Sequence, residues 1–305
     1  MTAFASTPVA STRMYNVAPG ATAAWHRLLA RVSDHAGVPL QVVEHPHPAP
    51  LAALWDRPDL GCAFMCGWPL AREADTGPAQ AANAGPPAQP PAPGMERAGQ
   101  GAAPAAPTAR PVIAAPASAY HAVFVVRAGS RFQALPDTFG SRFAFNSQGS
   151  HSGWTMPAAQ LAWLGGWFSA LVGPFGPHQR AAAAVAAGHA DVAALDSLVW
   201  ALLARHDPAL AAALRVVGRT PDQPAPPLVG SPGLPPATQS RLRAALLGLD
   251  RDAAGRALLA DVCLTGFRAA DAPDYAVTRL LEPAAAAFAA RQPPPSLPGT
   301  PGARA

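Results

Sequence analysis

The stretch from Phe143 to Trp154, FAFNSQGSHSGW, decides how this chain folds. Its apolar first residues predict a buried strand, and the serine- and glycine-rich residues after them predict a loop that leads into a helix. A strand that passes through a short loop into a helix is the building unit of α/β proteins. The N–H groups at such a helix start, together with the positive end of the helix dipole, favour an anion. The sequence therefore predicts an α/β fold with an oxyanion site at this loop.

Polar side chains that can bind a ligand stand at three successive helix starts in this part of the chain. They are Ser150, His151 and Ser152, then His178, and then Asp196. In an open α/β sheet the helix starts converge at the carboxyl ends of the strands, so we expect these residues on one rim. A purely structural interpretation stays open, with Ser152 and Asp196 as helix caps. Ser150 would then be a loop residue, and His178 a surface residue beside a cap.

The position of Asp196 indicates which anion would fit. A carboxylate repels a dianion, so an aspartate in the site indicates a ligand that carries a proton or an ammonium group at that point. Such an acceptor would admit phosphate-like species and reject sulfate, which has no proton to offer at neutral pH.

The same side chains contain the ingredients of a Ser-His-Asp hydrolase. However, the GxSxG nucleophile elbow is absent, because Gly149–Gly153 reads GSHSG, with two serines in the wrong register. A cluster of hydroxyls at a helix start needs no nucleophile to explain it, so acyl transfer is not favoured.

The composition favours a soluble protein with a sizeable core. Of the 305 residues, 50% are hydrophobic and 13% charged, which is enough for two modest lobes or one large domain. The net charge of +4 comes from scattered arginines without interleaved aromatics, so nucleic acid is not an expected partner. Cys62 and Cys66 would lie about 13 Å apart on a strand, too far for a disulfide. With Cys263 they are interpreted as small buried residues, and no metal site or cofactor is expected.

The first residues show neither the basic segment nor the apolar segment of a secretory signal, and no apolar run approaches the length of a membrane span. As written, the chain is expected to be cytoplasmic. A different start codon would make it periplasmic.

The order of predicted elements indicates a lobe inserted into another lobe. The first third alternates strand and helix, as in a parallel sheet with helical crossovers: Met14–Val17, Ala21–Ala36, Leu40–Glu44, Ala49–Trp55 and Gly61–Met65. The boundaries expected are lobe 1 at 13–140 and 220–290, lobe 2 at 141–219, and hinges near 136–142 and 218–226. Disorder is expected at 1–12, in an Ala- and Pro-rich insertion at 73–110, and at 291–305.

Several short motifs, taken in order, resemble the PhnD-like substrate-binding proteins of phosphate, phosphite and phosphonate ABC transporters, within the type II periplasmic-binding-protein superfamily. They are SHSG at Ser150–Gly153, GPH at Gly176–His178, GHADVAALD at Gly188–Asp196, the strand opened by Tyr120, and CGWPL at Cys66–Leu70. The resemblance covers about residues 13–72 and 110–285. His151 departs from it, since the family commonly has Thr or Ser there, and so do the insertion and the missing export signal.

The resemblance implies a two-lobed type II fold with a ligand cleft between the lobes. Ser150, Ser152, His178 and the backbone N–H of His151 would hold the oxygens of a phosphonate-like ligand. Tyr120 and Trp68 would flank the cleft from the other lobe, and Asp196 would meet a proton or amine on the ligand. The protein would then bind a phosphorus oxyanion as a monomer, with an ABC permease as its possible partner, and would not be an enzyme.

Two alternatives use the same fold. The first is a cytoplasmic enzyme, because chorismate dehydratases of the menaquinone pathway resemble this architecture. The second is a sensor or partner-binding protein with a degenerate cleft. Turnover of a candidate substrate separates the enzyme from the other two.

Overall fold

The computed structural model describes residues 6–76 and 109–296, and its strands form two sheets. In chain order the strands are β1 Val9–Ser11, β2 Gln41–Val42, β3 Leu60–Phe64, β4 Val112–Pro116, β5 Ala122–Arg127, β6 Arg142–Ala144, β7 Ala170–Val172, β8 Val192–Asp196, β9 Leu214–Arg219, β10 Leu228–Val229 and β11 Phe267–Arg268. The sheet of lobe 1 has the order β11-β4-β10-β3-β1-β2, and the sheet of lobe 2 has the order β7-β6-β8-β5-β9.

Helices cover the faces of both sheets. They are α1 Pro19–Ala36, α2 Leu51–Trp55, α3 Gly67–Thr76, α4 Met156–Trp163, α5 His178–Ala186, α6 Ser197–His206, α7 Pro208–Ala212, α8 Pro236–Leu247, α9 Ala253–Asp261 and α10 Glu282–Ala290. A π-helical turn at His151–Thr155 leads into α4. Shorter 3-10 helices lie at Arg13–Tyr15, Leu135–Thr138, Leu249–Arg251 and Ala272–Leu281. Within the two described ranges, no helix is both long and apolar enough to cross a membrane.

Both sheets are mixed rather than mostly parallel, because β10 is antiparallel to β3 and β4, and β5 is antiparallel to β8 and β9. Their central strands are buried on both faces, since helices cover both sides of each sheet. All five residues of β3 and all five of β8 are buried. β1 is parallel to β2 and β3, and β6 is parallel to β7 and β8. β5 is antiparallel to β8, with Ala122 opposite Asp196. This register brings the start of β5 next to the end of β8, where one of the predicted site residues stands.

The expected boundary of lobe 2 at residue 141 is wrong. β5 pairs with β8 and β9 in the second sheet, so lobe 2 begins near Tyr120. Consequently the expected hinge at 136–142 lies inside lobe 2. The chain instead passes between the lobes at 117–121 and 220–227, and an isolated β-bridge joins Tyr120 to Gln223 across these two segments. The expected lobe 1 range of 220–290 is wrong at its end, because Phe288 of α10 packs against Phe168 in the core of lobe 2, so the chain crosses to lobe 2 again before α10. The sequence predicts that β5 is a strand, but pairing between distant strands decides which sheet receives it.

Two expected disordered ends are also partly ordered. Val9–Ser11, within the expected disordered 1–12, forms β1 between β2 and β3, whereas the strand expected at Met14–Val17 is absent and Arg13–Tyr15 form a 3-10 turn. Ser296 bridges Val172 at the far end of the chain. In the expected insertion at 73–110, α3 continues to Thr76 and Val112 soon opens β4, while 77–108 and the final 297–305 lie outside the described residues.

The hydrophobic core runs across both lobes. Its aromatic part packs Tyr15 edge-on against Phe64, with ring centroids 4.7 Å apart, and Trp25 against both. Leu202 and Leu203 of α6 in lobe 2 belong to the same cluster. The lobes therefore lie closed against each other around Tyr15.

Candidate functional site

The helix start after β6 is built around a tight backbone turn. Ser150 is the residue before the π-helical turn, and its Oγ atom accepts a hydrogen bond from the Gly153 N–H at 3.0 Å. A Cβ atom at residue 153 would overlap the Asn146 side chain, so glycine is required there. Ser150 thus acts as a cap. Its hydroxyl proton is still free to be donated elsewhere.

Ser152 and His178 meet at this turn. The Ser152 Oγ atom lies 3.2 Å from Nε2 of His178, the first residue of α5. Asn146 Nδ2 lies 3.3 Å from the same nitrogen, and Asn146 Oδ1 accepts from the Ser147 N–H. Because the amide oxygen is occupied, the Asn146 NH₂ group is the one that faces His178, and it donates to Nε2. The ring proton therefore belongs on Nδ1.

This arrangement gives His178 a different role from the expected donation to an anion. Burial lowers its pKa to about 4, although the backbone carbonyl of Ala194 opposes the change, so the ring is neutral at neutral pH. Its Nε2 atom is an acceptor already served by Asn146. The Ser152 hydroxyl can therefore turn towards a ligand without leaving Nε2 of His178 without a donor.

Asp196 joins the two lobes at the end of β8. Its Oδ1 atom accepts from the N–H groups of Leu198 and Val199 at 2.7 and 3.2 Å, which caps α6. Its Oδ2 atom accepts from the Tyr15 hydroxyl of lobe 1 at 3.2 Å. Burial raises the pKa of this carboxyl to about 6, although these hydrogen bonds oppose the shift. The structural interpretation as a cap is thus correct, and the same carboxylate also ties the lobes together.

Two further groups of the cluster come from outside the core of lobe 2. Tyr120 is 2% exposed, and its hydroxyl lies close to Asp196 and Ser152 but at hydrogen-bonding geometry with neither. The buried Cys66 thiol, in lobe 1, lies against the backbone N–H of His151, and burial raises the pKa of this thiol to about 12. That N–H therefore points at lobe 1, into the seam where the two lobes meet.

The imidazole of His151 is the least expected feature of the site. It is fully buried, and neither ring nitrogen has a hydrogen-bond partner among the described residues. Burial lowers its pKa to about 3, so it is neutral. A buried nitrogen that lacks a partner is costly and is rare in folded proteins.

Trp68 stands apart from these groups. It lies in the first turn of α3, its indole N–H donates to Glu282 Oε1 at 2.8 Å, and the Arg72 guanidinium lies 4.9 Å from its ring centre. Its polar edge is therefore paired with the first residue of α10. The structure brings together the other six predicted residues, namely Ser150, His151, Ser152, His178, Asp196 and Tyr120.

Sequence reasoning missed Tyr15, Asn146 and Cys66 as members of the site. Asn146 stands two residues after β6, and its place near the strand end was a usable signal. Tyr15 lies in a segment that was expected to be a strand, and Cys66 reads as a small buried residue. Both reach the cluster only through the packing of lobe 1 on lobe 2. A cavity of about 170 Å³ adjoins the cluster at this seam, lined in part by Tyr15, Tyr120 and Ser197.

Comparison with known proteins confirms the fold and the family expected from the motifs. A binding-protein component of an ABC phosphonate transporter from Pseudomonas aeruginosa matches with a TM-score of 0.69 at 18% identity, over 93% of this chain and 88% of that one. The PhnD1 protein from Prochlorococcus marinus, solved in complex with methylphosphonate, matches with a TM-score of 0.66 at 18% identity, over 90% of this chain and 96% of that one. These likenesses show the type II periplasmic-binding-protein fold. No curated protein matches this chain in sequence.

The family itself is shown by a sequence model that matches residues 91–275, more than half of the chain, and is described as the periplasmic substrate-binding protein of a phosphonate ABC transporter. This chain therefore belongs to the family of phosphonate-binding substrate-binding proteins of ABC transporters.

Proposed function

We propose that this protein binds a small phosphorus oxyanion (phosphate, phosphite or an organophosphonate) between its lobes and delivers it, as a monomer, to an ABC permease. One observation carries the proposal: polar groups without full partners converge on one buried helix start. They are the Tyr120 hydroxyl, the Ser150 and Ser152 hydroxyl protons, and the unpartnered imidazole of His151.

The site is suited to holding an anion without a counter-charge. Both histidines are neutral, and no arginine or lysine takes part in the described hydrogen bonds of the cluster. Donors that are fixed in a dry place stabilise a negative charge strongly, because they cost no reorganisation when the ligand arrives. The start of the π-helical turn and α4 adds its dipole.

Asp196 supplies the selectivity. With a pKa near 6 it is mostly ionised at neutral pH, and its negative charge opposes a fully ionised ligand. A ligand that offers a proton or an ammonium group meets this carboxylate favourably, whereas sulfate does not. We therefore expect methylphosphonate, phosphite, phosphate and 2-aminoethylphosphonate to compete successfully with sulfate. Methylphosphonate is the first ligand to test, since it is the one held by the Prochlorococcus protein.

Isothermal titration of the purified, ligand-stripped protein with these four ligands, and with sulfate as the reference, tests the proposal. We expect micromolar or tighter binding of at least one phosphorus ligand. Ser152→Ala should weaken it by a factor of ten or more, because a hydrogen bond to a charged group contributes about 1.5–3 kcal/mol.

The matched control is Ser169→Ala. Ser169 lies at the other end of the lobe 2 sheet, where its hydroxyl donates to the Ser141 carbonyl, and its loss should leave phosphonate affinity unchanged. No heat with any phosphorus ligand, or equal affinity in Ser152→Ala and wild type, would refute the proposal. Turnover of a titrated ligand would instead support the alternative that this protein is an enzyme.

The proposed role also fixes a compartment. Delivery to the permease of an importer takes place in the periplasm, whereas the sequence as written was expected to be cytoplasmic. Osmotic-shock fractionation of cells that produce the protein from its own gene distinguishes the two. Retention with the cytoplasmic fraction would argue against a transport role even if the ligand binds.

A further inference from the structure

A second, larger cavity lies at the opposite end of lobe 2. It has a volume of about 670 Å³, within the range of small-molecule sites, and its lining includes the residues where β6 and β8 begin. These strands run from Arg142 and Asp191 at the cavity towards Asn146 and Asp196 at the cleft. A strand of five residues spans about 13 Å from first to last Cα atom, so the two sites are separated by the length of the sheet.

Three arginines dominate this cavity. Arg142 is fixed: it makes two hydrogen bonds to the Asp191 carboxylate, at 2.8 and 2.9 Å, and donates to the carbonyls of Gly188 and His189. Asp191, the one carboxylate among the described lining residues, is thereby paired. Arg127 and Arg131 also line the cavity, are exposed, and form no ion pair within residues 6–76 and 109–296. The cavity therefore carries an excess of two positive charges.

The turn after β5 adds hydrogen-bond donors to the same wall. The Ser130 hydroxyl is buried and has no partner in the described structure. The backbone N–H groups of Gly129, Arg131 and Phe132 also donate no hydrogen bond to any described residue. Two arginine side chains and a run of free N–H groups on one short turn match the acceptor-rich surface of a phosphate group.

Aromatic rings form the remaining part of the wall. Phe132 and Phe139 line the cavity, and the Arg131 guanidinium lies 5.5 Å from the centre of the Phe132 ring. An arginine held over a ring presents its planar group at a defined orientation. Such a wall can also pack against a planar group attached to an anion.

From these features we propose that the far end of lobe 2 binds a phosphate-bearing polyanion, of the size of a diphosphate or a nucleoside polyphosphate. Arg127 and Arg131 hold its phosphates in bidentate contacts, Ser130 and the adjacent N–H groups donate to the remaining oxygens, and the Arg142–Asp191 pair fixes the floor. The site is separate from the phosphonate cleft and goes beyond the function proposed above. Because it holds its ligand with exposed charges, salt screens it.

Titration of the full-length protein with pyrophosphate, tripolyphosphate and ATP, with adenosine as the neutral reference, tests this site. We expect binding that weakens at least tenfold in Arg127→Gln/Arg131→Gln and falls again when the ionic strength rises from 0.05 to 0.5 M, values chosen to shorten the Debye length from about 14 to about 4 Å. Tighter binding of ATP than of tripolyphosphate would indicate that the adenine base packs against the aromatic wall.

Two controls separate this site from the cleft. Arg251→Gln removes an exposed arginine of lobe 1 and should leave polyphosphate binding unchanged. Methylphosphonate titrated into the same preparations reports the cleft, and we expect the double arginine variant to bind it like the wild type. Ser152→Ala should show the reverse pattern.

Three results would overturn the proposal. The first is the absence of polyphosphate binding at millimolar concentration. The second is binding that survives in the double arginine variant. The third is polyphosphate binding that is lost in Ser152→Ala but kept in the arginine variant, which would locate that ligand in the cleft.

Discussion

The two ends of the lobe 2 sheet offer an anion two opposite environments. At the cleft end Ser150, Ser152 and two neutral histidines are packed around a turn from which water is largely excluded. At the far end arginines stand in solvent around an open cavity. The same strands therefore support recognition by fixed dipoles at one end and by charge at the other. The first depends on exact packing and on keeping groups neutral, and the second depends on ionic strength.

The largest expected effect is on packing, and two glycines test it. Gly153→Ala at the cleft end places a Cβ atom on the Asn146 side chain. We expect a loss of about 2–3 kcal/mol in the free energy of unfolding, as for overpacked cores, because Asn146 must move. Phosphonate affinity should fall more than tenfold, since Asn146 also serves His178. Urea unfolding and titration measure the two losses.

Gly129→Ala is the matched change at the far end. A Cβ atom there meets nothing within 4 Å, and the residue needs no left-handed conformation, so stability should be unchanged or slightly higher. If both variants unfold at the same urea concentration, the contrast in packing between the two ends is false.

The next largest effect is on the pH dependence of stability, which we expect to differ between the two ends of the sheet. The pKa of His178 falls from 6.5 to about 4 on folding, so its stabilisation is present above pH 6.5 and is lost as the pH falls towards 4. Between pH 6.5 and 4.5 we expect the free energy of unfolding of the wild type to fall by about 2 kcal/mol more than that of His178→Gln. Urea unfolding at each pH measures the difference. Asp196 works in the opposite direction, because its raised pKa removes stability as the pH rises through about 6.

At the far end, the free energy of unfolding of Asp191→Asn should differ in its pH dependence from that of the wild type only at a lower pH. Burial opposes ionisation of Asp191, but hydrogen bonds and charge from Arg142 outweigh it and lower the pKa below 3.8. That stabilisation is present above pH 3.8 and is lost only below it. If His178→Gln loses as much unfolding free energy as the wild type between pH 6.5 and 4.5, the pKa of His178 is not lowered by folding.

The smallest effect distinguishes two tyrosines within the cleft. Tyr15→Phe removes a donor from the buried Asp196 carboxylate and should cost about 1–2 kcal/mol of stability. Tyr120→Phe removes a hydroxyl that has no hydrogen-bond partner among the described residues, so stability should stay the same or rise, while phosphonate affinity falls. Thermal unfolding with and without ligand measures both. Equal destabilisation by the two changes would show that Tyr120 is bonded within the protein.

The sequence predicts those helices and strands that are determined by residues close together in the chain. The helices that begin at His178 and Ser197, and the strand that ends at Asp196, lie where the caps and apolar runs place them. The family and the fold follow from the order of short motifs. Membership of β5 in the second sheet does not follow, because it depends on pairing with β8 and β9 across many residues.

The same limit applies to the site. Tyr15 and Cys66 reach it only because lobe 1 packs against lobe 2, and no pattern in the sequence predicts that packing. Trp68 carries the expected motif, yet a partner more than 200 residues away, Glu282, takes its indole N–H. Whether His178 donates or accepts depends on which way the Asn146 amide faces, which only its contacts decide.

The β-bridge between Tyr120 and Gln223 has a consequence for how the protein opens. It joins two of the segments that connect the lobes, so we expect it to lie near the axis of any rotation between them. Atoms on an axis stay in place while those at a distance swing. In a rotation about this bridge we expect Cys66 to move with lobe 1 and Ser152 with lobe 2, while Tyr120 moves least. Such an opening would leave Tyr120 as the fixed reference group of the site.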